Sequence, residues 1–217
     1  MNNPYPRPRI HGLYAITPED SLLPRLSARV CAVLDGGVRW VQFRHKTAPP
    51  PQKRALACEL LRICKAVDAR LIINDDPELA LEIGADGVHL GADDGDIASA
   101  RERLGPAKLI GASCANSVAR ARDAARAGAD YVALGRFFPS RTKPDAPQAS
   151  LDVLREVRGQ LPDLPIVAIG GITLNNASTL LDAGADALAC IDGLFEAADL
   201  QSRASQFLSL FPHHHSS

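Results

Sequence analysis

Gln42, Arg44 and Lys46 occupy alternate positions at and just beyond the apolar run Trp40–Phe43. In an extended chain, every second side chain shares a face. Val41 and Phe43 take the other face, which suits packing against helices. An amide and two cations on one face suit an anion, because a cation turned away from water is costly unless something answers it. The competing reading has Arg44 and Lys46 reaching back to solvent. The period-two placement favours an anion clamp.

Further polar residues gather after other apolar runs. Asn74, Asp75 and Asp76 follow Leu71–Ile73, and Asp93 and Asp94 follow Gly91. Two carboxylates from neighbouring strand ends, completed by water and phosphate oxygens, make a Mg²⁺ site. Asp75 with one of Asp93 and Asp94 is the candidate pair; the alternative is a set of turn carboxylates. Asp76 precedes Pro77 and reads as a helix cap. Ser113 follows the fifth run. Ser140-Arg141-Thr142-Lys143-Pro144 heads the irregular connection 137–147. It reads as a phosphate-binding lid or as an exposed basic loop. Gly170-Gly171 follow the seventh run, and Ile191-Asp192-Gly193 close the eighth. Glycines there let backbone N–H groups approach phosphate oxygens. His89 reads as an acid or base, or as a structural strand histidine. No Ser-His-Asp arrangement and no zinc-ligand spacing is present in the sequence.

The elements that must position these residues follow from periodicity. Eight β-like runs recur: 13–16, 40–43, 71–73, 87–90, 109–112, 131–134, 166–169 and 187–191. Several are near-continuously apolar, as strands buried on both faces are. Helical stripes intervene, such as Leu56, Leu60, Ile63, Cys64 and Val67, and later Leu200, Ala204, Phe207, Leu208 and Phe211. Asn116, Ser150 and Asn175 are further candidate caps, and Gly36, Gly84, Gly128 and Gly184 mark helix stops. Gly-Ala-Asp precedes the fourth, sixth and eighth runs, at Gly84–Asp86, Gly128–Asp130 and Gly184–Asp186. A βα unit repeated eight times predicts an α/β fold, a compact single-domain (β/α)₈ TIM barrel. An open doubly wound sheet would carry a Gly-rich turn after its first strand, where this chain has Thr17-Pro18-Glu19. The expected divisions are an N-terminal arm over 1–10, the barrel over 11–211 and a disordered tail over 212–217 with His213–His215.

In such a barrel the strand C-termini meet at one mouth. That mouth would hold two anion-attracting regions. One is the clamp with the metal candidates and Lys143; the other is the backbone after the seventh and eighth strands. The layout fits a reaction that joins a diphosphate to a monophosphate.

Composition narrows the partners. The chain is 46% hydrophobic and 23% charged, an ordinary globular balance. Its 24 Lys and Arg against 25 Asp and Glu give a net charge of −1. That balance argues against nucleic acid; it says little about a small anionic ligand, which needs only a local cluster, and the layout of the mouth makes small-molecule substrates the expected partners. No run of apolar residues is long enough for a membrane span or a signal peptide. The five cysteines form no C-x-x-C pair and read as buried free thiols, so a cytoplasmic location is expected. A homo-oligomer remains open.

Taken together, Gln42-Phe43-Arg44-His45-Lys46, Asn74-Asp75, His89-Leu90-Gly91 with Asp94, Thr142-Lys143-Pro144 and Gly170-Gly171-Ile172 resemble the thiamine phosphate synthase family of (β/α)₈ barrels. The resemblance runs from about Leu13 to Phe195. It implies a transferase of thiamine biosynthesis. Such an enzyme condenses 4-amino-5-hydroxymethyl-2-methylpyrimidine diphosphate with 4-methyl-5-(2-hydroxyethyl)thiazole phosphate and releases diphosphate. It implies one Mg²⁺ held by Asp75 and Asp94. Gln42, Arg44, Lys46 and Asn74 would contact the pyrimidine diphosphate, and Ser113 and Lys143 would complete the diphosphate surroundings. Arg44, Lys46, Ser113 and Lys143 would carry catalysis. Ser140, Thr142, Gly171 and the backbone at Ile191 and Asp192 would bind the thiazole phosphate. The family path is dissociative: diphosphate leaves, and the thiazole nitrogen attacks the pyrimidine-methyl cation. Such a path needs no protein nucleophile. Two positions depart from the family pattern, with Asp192 in place of a common Ser and Ser140 in place of a common Thr. The rival readings are a thiazole tautomerase-like isomerase and a non-catalytic phosphate-binding barrel.

Overall fold

The computed structural model describes residues 7–91, 96–141 and 147–211. Within them, the apolar runs form eight strands: β1 (Gly12–Ile16), β2 (Trp40–Phe43), β3 (Arg70–Asn74), β4 (Gly87–Leu90), β5 (Leu109–Ala115), β6 (Tyr131–Leu134), β7 (Ile166–Ile169) and β8 (Ala187–Cys190). They close in sequence order, all parallel, with β8 returning to β1 through Gly12 and Ala187. Between them run α1 (Leu23–Asp35), α2 (Pro50–Lys65), α3 (Pro77–Ile83), α4 (Ile97–Leu104), α5 (Val118–Arg126), α6 (Leu151–Gln160) and α7 (Ala177–Asp182). A short α8 (Asp192–Phe195) and α9 (Leu200–Leu208) follow β8. The expected barrel is the observed one.

Strand parity divides the core in two. Val41, Phe43, Leu71, Ile73, Val88 and Leu90 face outward and join one cluster with helix residues such as Leu26, Leu60 and Leu154. Tyr14, Ile16, Trp40, Ile72, Leu109, Tyr131, Val167 and Ala189 fill the barrel, and Ile10 packs among them. Because side chains alternate, Gln42, Asn74, His89 and Ser113 share the inward parity with this second cluster. Their polar ends therefore belong to the upper layer of the barrel, where the strands terminate.

The predicted element ends needed local correction. β5 runs to Ala115, past the expected Ala112, with an irregular register at Ser113 and Ala115. Ser113 is thus a strand residue and not a turn serine. Asp76 and Ser150 cap their helices through Leu79 N and Val153 N as expected. Asn116 and Asn175 do not: the N-caps are Ser117, whose side chain accepts from Arg120 N, and Asn176. Val67 lies beyond α2 and is exposed, because the helix stops at Lys65. Of the five free cysteines, Cys64, Cys114 and Cys190 are buried, whereas Cys31 and Cys58 are only half-buried. Burial pushes the Cys64 and Cys114 thiols up to about 12, which leaves them protonated and inert. The 212–217 tail and residues 1–6 of the arm lie outside the described residues.

The repeated Gly-Ala-Asp has a structural role. Asp86 Oδ2 accepts from Leu71 N at 2.8 Å, Asp130 Oδ2 from Ile110 N at 2.7 Å and Asp186 Oδ2 from Ile166 N at 2.7 Å. Each carboxylate thus ties the start of one strand to the start of its preceding neighbour. Arg70, Arg101 and Arg158 pair with the same three carboxylates. These contacts sit at the end of the barrel opposite the mouth and hold it closed from below.

Candidate active site

The mouth opens into a cavity of about 740 Å³, within the range of small-molecule sites. Gln42, Arg44, Lys46, Asn74, His89 and Ser113 line one side. Ser140, Arg141, Gly171, Ile191, Asp192 and Gly193 line the other. One cavity therefore joins the two regions that the sequence proposed separately.

On the first side, the cations are answered from within the chain. Arg44 Nη1 lies 3.0 Å from Glu19 Oε1, and Lys46 Nζ lies 3.4 Å from Asp75 Oδ2. This corrects the expectation that only a ligand would answer them: Glu19, in the loop after β1, was not singled out. Asp75 adopts a left-handed backbone (φ 60°) just past β3, a conformation that Asp tolerates better than most residues. Its Oδ1 accepts from Gly91 N at 3.2 Å and its Oδ2 from Asn74 Nδ2 at 2.5 Å. The carboxylate is therefore fixed beside Lys46 at the rim.

Deeper in the cavity, Gln42 Nε2 donates to Tyr14 Oη at 2.9 Å. Ser113 Oγ and His89 Nε2 are 2.9 Å apart. His89 is therefore neither isolated nor merely buried; it is bonded to a residue assigned to the diphosphate. Burial holds the Tyr14 and Tyr131 phenols well above their ordinary range, so both remain protonated.

On the second side, the glycines answer packing as well as ligand approach. Gly171 has φ 62°, and a Cβ there would fall 2.2 Å from the Pro139 carbonyl oxygen. The turn after β7 is thus pressed against the loop after β6, which brings Ser140 to the same wall. Asp192 begins α8, and its carboxylate is 3.4 Å from Arg141 Nε. Arg141 also pairs with Glu196, and these two carboxylates, Glu196 foremost, raise its already high pKa. The negative charge at position 192 therefore faces a cation. Ile191 precedes α8 rather than ending β8, and Arg203 Nη1 donates to the Gly193 carbonyl at 3.0 Å, bracing that turn.

Asp94, Thr142 and Lys143 lie outside the described residues. Tyr14, Arg136 and Arg203 line the cavity but were not anticipated. Tyr14 had a signal, since it stands at an inward position of β1; the two arginines are brought in by loop and helix packing, which has no period.

A family model described as thiamine monophosphate synthase matches residues 13–194. The thiamine-phosphate synthase of Methylobacillus flagellatus is 54% identical over 204 residues, covering 94% of this chain and 97% of that protein. The thiamine-phosphate synthase of Nitrosococcus oceani is 52% identical over 205 residues, covering 94% of each. The solved structure of a thiamine phosphate pyrophosphorylase from Pyrococcus furiosus superposes with a TM-score of 0.82 at 34% identity, covering 92% of this chain and 94% of that one.

Proposed function

The chain belongs to the thiamine monophosphate synthase family and is a transferase of thiamine biosynthesis; from that premise we propose how its mouth works. The pyrimidine diphosphate binds on the Gln42, Arg44, Lys46, Asn74 and Ser113 side. The thiazole phosphate binds between Ser140 and the Gly171, Ile191 and Asp192 turns. The observation that carries this reading is the single cavity shared by the two groups. Two substrates seated in one cavity meet without crossing solvent.

Arg44 and Lys46 sit where charge grows as diphosphate departs, and exchange their contacts with Glu19 and Asp75 for phosphate oxygens. Cations already in place stabilise that charge without reorganising water. The apolar wall of Ile16, Val167, Ile169 and Ala189 keeps water from the pyrimidine-methyl cation until the thiazole nitrogen reaches it. Lys143, assigned to the same diphosphate by the resemblance, and Thr142, assigned to the thiazole phosphate, complete the proposal.

The donor chemistry fits Mg²⁺. Asp75 offers hard carboxylate oxygens at the rim beside the diphosphate side. An ion of this kind takes one or two carboxylates and completes its shell with water and phosphate oxygens. Asp75, with Asp94, would hold it, and it would supply further charge neutralisation to the leaving diphosphate. No helix among the described residues is long and apolar enough to cross a membrane, and we assign the reaction to the cytoplasm.

The test is an assay with both phosphorylated substrates, with and without Mg²⁺, following diphosphate release and thiamine monophosphate together. Mg²⁺-dependent formation of both supports the proposal. A folded protein that binds thiazole phosphate yet makes neither product overturns it.

A further inference from the structure

Four hydrogen bonds cross the barrel interior in one line. Gln42 Nε2 donates to Tyr14 Oη at 2.9 Å, and Tyr14 Oη lies 2.9 Å from Tyr131 Oη. Tyr131 Oη lies 3.1 Å from His89 Nδ1, and His89 Nε2 lies 2.9 Å from Ser113 Oγ. The five residues come from β2, β1, β6, β4 and β5. The two ends are the groups assigned to substrate and line the cavity; Gln42, Tyr14, Tyr131 and His89 are all buried, and Ser113 is half-buried.

The line is built, not incidental. Tyr131 stacks on His89 and meets Tyr14 edge-on. Its ring occupies the space that a side chain at position 111 would need: a Cβ on Gly111 would fall 2.0 Å from Tyr131 Cζ.

Proton counting gives the line a direction. A phenol has one proton to give. Tyr14 Oη accepts from the Gln42 amide, and its own proton, buried with the ring, would go unbonded unless it were given to Tyr131. Tyr131 Oη then accepts from Tyr14, and its proton goes to His89 Nδ1. An accepting Nδ1 leaves the ring proton on Nε2, which donates to Ser113 Oγ. The Ser113 proton is then directed away from the histidine. The reverse order would start from the Gln42 carbonyl and end with Ser113 donating to His89, leaving only lone pairs toward an incoming anion.

We propose that Tyr14, Tyr131 and His89 are positioning residues that couple Gln42 to Ser113, holding a carbonyl acceptor toward the cavity at one end and a hydroxyl donor at the other. The match to a ligand with an amino group and a diphosphate rests on the reading given under Proposed function. The coupling itself does not. Reversing one end alone would leave a buried phenol proton without a partner, so the two ends hold their orientations together and recognition of the two parts of the ligand becomes one event.

The test is long-range ¹H–¹⁵N correlation on histidine-labelled full-length protein, with the His89 signals identified by their loss in His89→Gln. The expected result is a single tautomer, protonated on Nε2. Tyr14→Phe keeps the ring but removes the hydroxyl, at a residue two bonds along the line from His89. It should move the His89 nitrogens toward a mixture of tautomers. The kinetic counterpart is a KM for the pyrimidine diphosphate raised roughly tenfold, about one hydrogen bond's worth, with the KM for thiazole phosphate little changed. A His89 protonated on Nδ1, or on both nitrogens, in the unmodified protein overturns the proposal, as does a His89 signal unmoved by Tyr14→Phe. The resting tautomer is read on the unmodified protein, with His89→Gln serving only to identify the signals. If the tautomer is as expected but the protein turns over no pyrimidine diphosphate, the functional reading fails and the coupling stands.

Discussion

Lys46 is about half exposed and stands 3.4 Å from the Asp75 carboxylate, a contact that contributes little to stability at such exposure. Its worth lies in the charge it holds at the rim. Lys46→Ala should therefore lower turnover on the order of a hundredfold, comparable to losing one transition-state donor, while the melting temperature stays within a few degrees. Asp75→Ala should lose most activity in the same way. Near-normal turnover in either variant removes the role assigned to that residue. Asp192 leads to a prediction of the opposite sign. Its carboxylate pairs with an exposed Arg141 that Glu196 also holds, so Asp192→Ser frees cationic charge beside the thiazole phosphate. The KM for that substrate should fall roughly threefold, the scale of a surface pair; a rise would mean that the carboxylate itself orders the turn. At this scale the sequence was informative wherever parity decides. Gln42, Asn74, His89 and Ser113 all stand at inward positions, and the face of the first was read correctly. Glu19 and Tyr131 were missed, because their partners are set by barrel closure between strands far apart in sequence.

The Gly-Ala-Asp repeat was visible as a pattern, but its use was not, because an aspartate's acceptor role depends on which strand starts beside it. Asp130 binds Ile110 N, Arg101 and Arg7. Removing it leaves a strand-end amide and a partly buried guanidinium short of their charged partner. Asp130→Ala should cost about 2 kcal/mol, or about 4–8 °C in melting temperature for a domain of this size. Because the contact lies at the end opposite the mouth, kcat at 25 °C should be unchanged. Calorimetry and a steady-state assay on the same sample check both halves. A loss of kcat without loss of stability would mean that the lower rim reaches the site. The helix caps make the same point in miniature: Asp76-Pro77 and Ser150 were legible from local chemistry, whereas Ser117 and Asn176 lie one residue beyond the caps expected from composition.

For the whole molecule, a net charge of −1 offers no general attraction for two anionic substrates. Capture must come from the mouth, where Arg44, Lys46, Arg136, Arg141 and Arg203 line a recessed cavity with Glu19, Asp75, Asp192 and Glu196 as acidic neighbours. A recessed cluster concentrates its field at the opening, whereas balanced charges elsewhere cancel over a few Debye lengths. Raising KCl from about 0.05 M to about 0.5 M shortens the Debye length from more than 10 Å to about 4 Å. The KM for the pyrimidine diphosphate should then rise roughly tenfold at fixed Mg²⁺. The value of kcat should stay within about twofold, because the bound diphosphate contacts its cations directly, inside the screening distance. The melting temperature should barely change, since the barrel is held chiefly by two buried apolar clusters that salt does not screen, and the strand-end carboxylates bond directly to backbone N–H groups. A KM indifferent to salt would shift recognition to the neutral groups, Gln42, Asn74 and Ser113, and make their fixed orientation, rather than the cations, the source of affinity.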